Sequence, residues 1–300
     1  MSAPWTAERH LVRGAGGDVE VVVAGPREGL ALVFHYGTPG GAEPWPEGFE
    51  AAGALGLRSV FVGSPGYGAS TPCPGRRVAD VAGDVESVLD AIGAERFVTA
   101  GWSGGGPHAL ACAALLGERC LGVATIAGVA PFDAEGLDWL EGMGPENREE
   151  FALALAGDAA ALRRSLGDAA QALREIGPDQ LVDAFGGLLS EPDRACLHGP
   201  FAAYVAATMR RAVVEGVEGW YDDDKAFMKP WGFDLEAVAV PVIIWRADLD
   251  LMVPPAHGAW LAAHVPGAKD RLVAGQGHLS LLEGHYRAVV SELRLLAVTG

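Results

Sequence analysis

The feature that constrains this chain most is a five-residue turn, residues 101–105, set between a buried strand and a helix. An apolar run at residues 96–100 predicts the strand, and residues 107–116 predict the helix. The turn reads Gly-Trp-Ser-Gly-Gly, and a serine in this context is typical of a nucleophile elbow, which holds the serine in a strained backbone conformation. Glycine at the first and last positions removes side chains that would collide across so sharp a turn. The sequence therefore predicts that Ser103 is a nucleophile held above the sheet edge.

Composition narrows the class of protein. The 300 residues are 50% hydrophobic and carry a formal net charge of −17. This charge argues against a nucleic-acid partner, because phosphate binding needs a basic face, and against docking on an anionic membrane. No apolar run reaches the roughly twenty residues of a membrane span, and the first ten residues do not resemble a secretory signal. The four scattered cysteines suit a reducing compartment, so we expect a soluble, cytoplasmic protein.

Strand and helix patterns alternate along most of the chain. Residues 10–24 alternate apolar and polar around a glycine-rich turn, which predicts an antiparallel hairpin at a sheet edge. A continuous apolar run at residues 30–34 is typical of a strand covered on both faces. Further strands are predicted at 59–62, 123–126, 240–245 and 271–274, and helices at 46–55, 78–92, 256–264 and 280–296. The alternation predicts an α/β fold with a mostly parallel central sheet flanked by helices.

Residues 132–232 follow a different pattern. No strand is convincing there, and amphipathic segments predict helices at 149–156, 159–166, 179–189 and 201–214. The stretch holds 19 acidic and 9 basic residues, a net charge of −10, which is more than half of the excess charge of the whole chain. We interpret it as a helical insertion that interrupts one core domain, formed by residues 1–131 and 233–300.

The loop at residues 35–41, His-Tyr-Gly-Thr-Pro-Gly-Gly, directly follows a predicted central strand. Small residues and a proline give a tight turn with free backbone amides, at the strand end where ligands bind in open α/β sheets. The amide of Thr38 is therefore a candidate oxyanion donor, although an ordinary strand-to-helix turn would look the same. The amide of Gly104, at the positive end of the helix after the elbow, is the second candidate.

A serine hydroxyl needs a base to remove its proton, and that base needs an acid to fix its tautomer. Among the eight histidines, His278 lies in a small-residue loop after a late strand, from which it can approach the sheet edge. The turn at residues 246–254 offers two acids. Asp250 is favoured because it lies farther along that turn and just before a Val-Pro pair, and Asp248 is the alternative.

The chain order Ser103, Asp250, His278 resembles that of the α/β-hydrolase family, and the resemblance covers essentially the whole chain. The loop at 35–40 is similar to the family's His-Gly-x-Pro oxyanion loop, with Tyr36 in place of the histidine. Residues 247–254 are similar to its Gly-x-x-Asp-x-x-Val-Pro acid turn, with alanine for glycine, which again selects Asp250. The helical insertion matches the position of the family's cap, a region that carries much of the substrate choice.

The mechanism implied is acyl transfer without a metal or organic cofactor. The base takes the proton of Ser103 as the hydroxyl attacks a carbonyl, two backbone amides hold the oxyanion, and water releases the acyl group. We expect a carboxylesterase-like hydrolase of an ester, lactone or thioester of a small apolar molecule. A prolyl-aminopeptidase-like enzyme, a carbon-carbon bond hydrolase and a non-catalytic binding protein are the alternatives. Serine at 103 argues against the dehalogenase and epoxide hydrolase branches, whose nucleophile is a carboxylate.

Contacts to substrate are harder to assign. The candidates are the aromatic residues near the loop, the elbow and the acidic end of the insertion, namely His35, Tyr36, Trp102, Trp220 and Tyr221. Three consecutive aspartates follow at 222–224. Because adjacent side chains on a helix point in different directions, they predict a solvated helix start rather than a metal site. The sequence does not decide whether the protein forms a homo-oligomer.

Overall fold

Eight strands form one sheet in the computed structural model, which describes residues 5–299. In chain order the strands are β1 (Glu8–Arg13), β2 (Asp18–Ala24), β3 (Leu30–His35), β4 (Leu57–Val62), β5 (Phe97–Trp102), β6 (Cys120–Ile126), β7 (Val242–Ala247) and β8 (Lys269–Val273). Their order in the sheet is β1-β2-β4-β3-β5-β6-β7-β8. The β1–β2 and β2–β4 pairs are antiparallel, and the other five pairs are parallel. The predicted edge hairpin and the predicted mostly parallel sheet are both confirmed.

Eleven α-helices surround or cover this sheet within the described residues. They are α1 (Pro46–Gly53), α2 (Val81–Ala91), α3 (Gly105–Leu115), α4 (Pro145–Ala156), α5 (Ala159–Leu173), α6 (Leu181–Phe185), α7 (Glu191–Cys196), α8 (Gly199–Ala212), α9 (Glu218–Phe227), α10 (Pro255–His264) and α11 (His278–Thr299). Short 3₁₀ turns precede α2 and flank α6. None of the helices in residues 5–299 combines the length and apolar character that crossing a membrane requires.

Two apolar layers cover the two faces of the sheet. Along β3, Leu32 and Phe34 pack with α1 and α11, whereas Ala31 and Val33 pack with α2, α3 and α10. The side chains alternate between layers because successive residues of a strand point to opposite faces. All four are at most 1% exposed. Coverage on both faces explains why the central strands have continuous apolar sequences rather than alternating ones.

Helices α4 to α9 all lie between β6 and β7, within residues 132–232, which we call the inserted segment. The predicted helices at 149–156, 159–166 and 201–214 fall in α4, α5 and α8. The predicted helix at 179–189 is instead broken, because Gly186 has a positive φ of 52° just after α6. The inserted segment packs on the sheet domain partly through α8, where the ring of Tyr204 stacks on Trp45 at 5.1 Å.

Candidate active site

The turn after β5 holds Ser103 with a φ of 56°, in the left-handed region that residues other than glycine rarely adopt. A side chain at position 101 would overlap the carbonyl oxygen of Gly105, and one at position 105 would overlap the carbonyl oxygen of His35. Backbone passes so close to backbone at both places that only glycine fits. The turn therefore has the strained geometry that its sequence predicts, with Ser103 between the end of β5 and the start of α3.

A buried histidine and a buried aspartate are in hydrogen-bond contact beside this turn. His278, the first residue of α11, has its Nδ1 atom 2.7 Å from Oδ2 of Asp250. The side chains are 1% and 0% exposed. The other oxygen of Asp250 accepts the amides of Met252 and Val253, each at 2.8 Å. Asp250 is thus fixed in place and fixes Nδ1–H as the donor, which leaves Nε2 as the acceptor of the neutral ring.

The two acids in the turn after β7 have different partners. Asp248 accepts the amide of Gly275 at 2.7 Å and is exposed, so it ties the turn after β7 to the loop after β8. Asp250 contacts the histidine. The structure therefore brings together Asp250 and His278 and places Asp248 apart from them.

The loop after β3 lies directly against the elbow. A Cβ atom at position 37 would lie 2.9 Å from Cβ of Ser103, and one at position 104 would lie 2.5 Å from Oγ1 of Thr38. Among the described residues, the Thr38 amide donates to no other group. Gly104 immediately precedes α3, where the first amides have no partner within the helix. The structure therefore brings two amides without helical or strand partners to the neighbourhood of Ser103.

Tyr36 supports this loop from inside the protein. Its hydroxyl donates to the carbonyl oxygen of Glu43 at 2.7 Å and accepts the Glu43 amide at 2.9 Å. The ring packs edge-on against Phe34 and Phe61 at 5.4 and 5.7 Å. Burial raises the pKa of Tyr36, so the hydroxyl stays protonated. The tyrosine that replaces the family's histidine thus supplies its own hydrogen bonds to the loop.

Ser103 and His278 both line a cavity of about 280 Å³ between the sheet and the inserted segment. The sheet side also contributes Thr38 and Trp102. The inserted segment contributes three polar side chains, Glu146, Asn147 and Glu150. Its other contributions are mostly apolar, namely Ala169, Ala172, Leu173, Ala184, Phe185, Leu188, Met209 and Trp220. In the described residues the Ser103 hydroxyl makes no hydrogen bond, and it faces this cavity as a free group.

Two of the five predicted substrate contacts, Trp102 and Trp220, line the cavity, and the other three do not. His35 is fully buried beneath the loop, 3.7 Å from Sγ of Cys112, and burial lowers its pKa to about 3, so the ring is neutral. Tyr36 faces the core. Tyr221 points away from the cavity, and the guanidinium of Arg163 lies 3.6 Å above its ring.

The three aspartates at 222–224 are 3%, 2% and 0% exposed, so the predicted solvated helix start is wrong. Asp223 accepts hydrogen bonds from Arg76 at 2.6 Å and from the hydroxyls of Tyr67 and Thr38 at 2.8 Å. Arg76 is itself buried, and its charge compensates the carboxylates that face it. Arg76 and Asp223 are 147 positions apart in the sequence, so no local pattern predicts their contact. Residues 5–299 contain no group of acidic, histidine or cysteine side chains arranged to hold a metal ion.

A pair of carboxyl groups lies beside the cavity. Oε1 of Glu150 accepts the indole N–H of Trp220 at 2.9 Å. Burial raises the pKa of Glu150 to about 7, and burial together with the neighbouring Glu150 raises the pKa of Asp224 well above its usual value. Burial therefore favours the protonated form of both carboxyl groups.

Comparison with known proteins shows the family of this chain. Residues 31–285 match the model of the alpha/beta hydrolase fold family. The chain therefore belongs to this family, and the resemblance seen in the sequence is confirmed.

Relatives within the family have diverse activities. Epoxide hydrolase B of Mycobacterium tuberculosis is 32% identical over 136 residues, which cover 44% of this chain and only 38% of that protein. Proline iminopeptidase of Neisseria meningitidis is 26% identical over 290 residues, covering 85% of this chain and 84% of that one. A thermophilic esterase from Thermogutta terrifontis superimposes with a TM-score of 0.67 and 21% identity, covering 97% of this chain and all of that one. The last likeness shows a shared fold.

Proposed function

We propose that this chain is a carboxylesterase-like serine hydrolase, which transfers the acyl group of a small, largely apolar ester, lactone or thioester to water. One observation carries the proposal. The strained Ser103 faces the same cavity as His278, whose Nδ1 lies 2.7 Å from the buried carboxylate of Asp250. A nucleophile, a base and an orienting acid are the parts that acyl transfer needs.

In the proposed reaction, Nε2 of His278 takes the proton of the Ser103 hydroxyl while Oγ attacks the substrate carbonyl carbon. Asp250 stabilises the imidazolium that forms. The amides of Thr38 and Gly104 donate to the oxyanion of the tetrahedral intermediate. The histidine then protonates the leaving group, and a water molecule, activated by the same base, cleaves the acyl-enzyme and regenerates Ser103.

The cavity supports a small substrate. Its volume of about 280 Å³ is at the lower end of the range for ligand sites, and most of its lining is apolar. Glu146 and Glu150 line it, whereas Lys and Arg are missing from the lining within the described residues. A carboxylate-bearing substrate would meet acidic groups and no cation there, so a neutral molecule fits best.

We also propose that residues 132–232 act as a cap over a core made of residues 1–131 and 233–300. The support is that α4, α5, α6, α8 and α9 all contribute to the cavity around Ser103. Such a cap would exclude water and select substrates. Action in the cytoplasm on a small molecule, without a cofactor, nucleic acid or membrane, stays a prediction.

An amino-terminal peptidase activity is the second candidate. The proline iminopeptidase relative aligns along most of both chains, and carboxylates in the cavity could receive a protonated amine. Epoxide hydrolysis is a weaker candidate than either activity, although one relative is an epoxide hydrolase. The elbow of this chain holds a serine at the position where that branch needs a carboxylate.

A substrate panel tests the proposal. Purified protein and its Ser103→Ala variant would be assayed with p-nitrophenyl acetate and butyrate, a five-membered lactone, a short acyl thioester and proline p-nitroanilide. We expect Ser103-dependent hydrolysis of the esters, lactone or thioester. Preference for the anilide would move the assignment to the peptidase, and equal rates for the variant would refute a serine mechanism.

A further inference from the structure

Helix α11, which begins with His278, has no capping residue of its own. The first amides of a helix have no partner within it and are usually satisfied by a Ser, Thr, Asp or Asn side chain just before the helix. Here the preceding residue is Gly277, which has no side chain. The amides of His278, Leu279 and Ser280 donate instead to Asp193, at 3.1, 2.8 and 2.9 Å. The cap of this helix comes from α7 of the inserted segment.

Asp193 is well suited to this contact. It is 0% exposed, and its Oδ2 also accepts the hydroxyl of Ser190 at 2.7 Å. Within residues 5–299 no cationic side chain forms an ion pair with it. A buried carboxylate without a cation depends on hydrogen-bond donors, and the positive end of α11 adds to their effect. The contact therefore serves both partners, because the first amides of a helix have no acceptor within it and Ser190 is the one other donor to Asp193 among residues 5–299.

The space at Gly277 shows how closely the two segments meet. A Cβ atom at this position would overlap Oγ of Ser190 and Oδ2 of Asp193. The residue has no positive φ, so its requirement for glycine comes from this close approach and not from an unusual backbone conformation. The small-residue loop before His278 accommodates a carboxylate rather than providing freedom of movement.

We propose that Asp193 is a positioning residue for His278. The proposal rests on the proposed function, in which His278 is the base. Asp250 holds one edge of the imidazole, and Asp193 holds the backbone from which the ring projects. Together they fix the direction of Nε2. Displacing a reacting group by about 1 Å costs up to about 100-fold in rate, so loosening this backbone should slow proton transfer without weakening substrate binding.

The test is Asp193→Asn with a matched control. Five donors converge on the two carboxylate oxygens, since the Ser190 amide also donates to Oδ2 at 3.4 Å, and an amide side chain would offer them only one oxygen. With a small activated ester we expect kcat to fall about 10- to 100-fold and KM to change by less than about threefold. The control is Asp158→Asn, which removes an aspartate that caps α5 in the same inserted segment and lies far from His278 in the chain. It should keep its kcat, and it should stay close to wild type in stability because Asn caps a helix as well as Asp does.

A second variant tests the same contact from the side of the loop before α11. Gly277→Ala keeps Asp193 but forces it away from the loop, so it should reproduce the kcat loss. If both variants act through one contact, the double variant should be little worse than either alone. Should Asp193→Asn fail to fold, Ser190→Ala, which removes one donor, should still lower kcat at constant KM.

The outcomes separate this proposal from the function on which it rests. If the wild type is active through Ser103 but Asp193→Asn matches Asp158→Asn in kcat, the positioning role is wrong and the proposed function stands. A rise in KM at constant kcat would also overturn it. If Ser103→Ala is as active as wild type, both claims fail.

Discussion

The sheet and the inserted segment shape the same cavity in different ways. On the sheet side, each group to which we assign a chemical role follows the end of a strand, as Ser103 follows β5 and Asp250 follows β7. On the side of the inserted segment, the important groups are buried carboxylates whose partners lie far away in the chain, such as Asp193 against α11 and Asp223 against Arg76. Reactive groups are thus placed by local turns, whereas the segment that covers them is attached by long-range charge compensation.

The largest effect should come from the sheet side. Asp250→Asn replaces the acceptor that fixes the tautomer of His278, and such a change typically lowers kcat by about 10⁴-fold. Asp248→Asn is the matched control, because it alters the neighbouring acid of the same turn and should stay within about threefold of wild type, as expected for an exposed group. If Asp248→Asn were the more damaged variant in steady-state kinetics, the acid of the site would have to be reassigned.

The contrast also explains which parts of the structure could be predicted. Gly101 and Gly105 flank Ser103, and this local pattern is typical of the sharp turn that the structure shows. The conformation of the elbow could therefore be predicted from five consecutive residues. Asp250 and Asp248 could be ranked by their position on one turn. The role of Tyr36 could not be predicted, and the sequence showed only that it departs from the family's motif. Its partner is the backbone of Glu43, and a backbone group in an irregular segment leaves no pattern in the sequence.

The inserted segment was predicted less well for a physical reason. Three adjacent aspartates normally indicate solvent, since burying a charge is costly. At 222–224 the cost is offset by Arg76 and by hydroxyl donors, and burial raises the pKa of Asp224, which favours its neutral form. Similarly, Ser190 and Asp193 form a local capping pattern for α7, but nothing near them indicates the amides of α11. These contacts are decided by the packing of distant elements.

The free energy of unfolding should distinguish a buried from an exposed ion pair of α9. Asp223→Ala leaves the buried charge of Arg76 without its closest partner, and breaking a buried pair costs roughly 3–5 kcal/mol. Glu218→Ala, on the same helix, breaks an ion pair with Arg163 that is more than 40% exposed on both sides, so about 1 kcal/mol or less is expected. Urea denaturation of the two variants measures both values. Equal losses would mean that Asp223 does not attach the inserted segment in the way described.

Specificity should depend on the inserted segment with a smaller effect. Trp220→Ala enlarges the cavity, so the ratio of kcat/KM between a bulky and a small ester should change by about tenfold, while the small ester itself reacts nearly as before. Its neighbour Tyr221 lies outside the cavity, and Tyr221→Ala should leave the ratio unchanged. An equal change in both variants would show that general disturbance of α9, rather than the cavity wall, sets the preference.

The smallest expected effect is the contribution of Glu150 to the pH dependence of stability. Burial raises the pKa of Glu150 from 4.5 to about 7 in the folded protein. Between these values the folded state binds more protons than the unfolded state, so stability falls as pH rises through this window. Glu150→Gln cannot ionise and can still accept from Trp220, so its Tm relative to wild type should be higher at pH 8 than at pH 5. A difference in Tm that does not vary with pH would contradict the raised pKa of Glu150.

The central claim is that the strained turn presents an activated serine to the cavity, and covalent labelling tests it most directly. A small alkyl fluorophosphonate would be incubated with wild type and Ser103→Ala, followed by intact-protein mass measurement and peptide mapping. We expect one adduct per chain, on Ser103, and none on the folded variant. A folded wild type that stays unmodified, or a variant that is labelled equally, would contradict it.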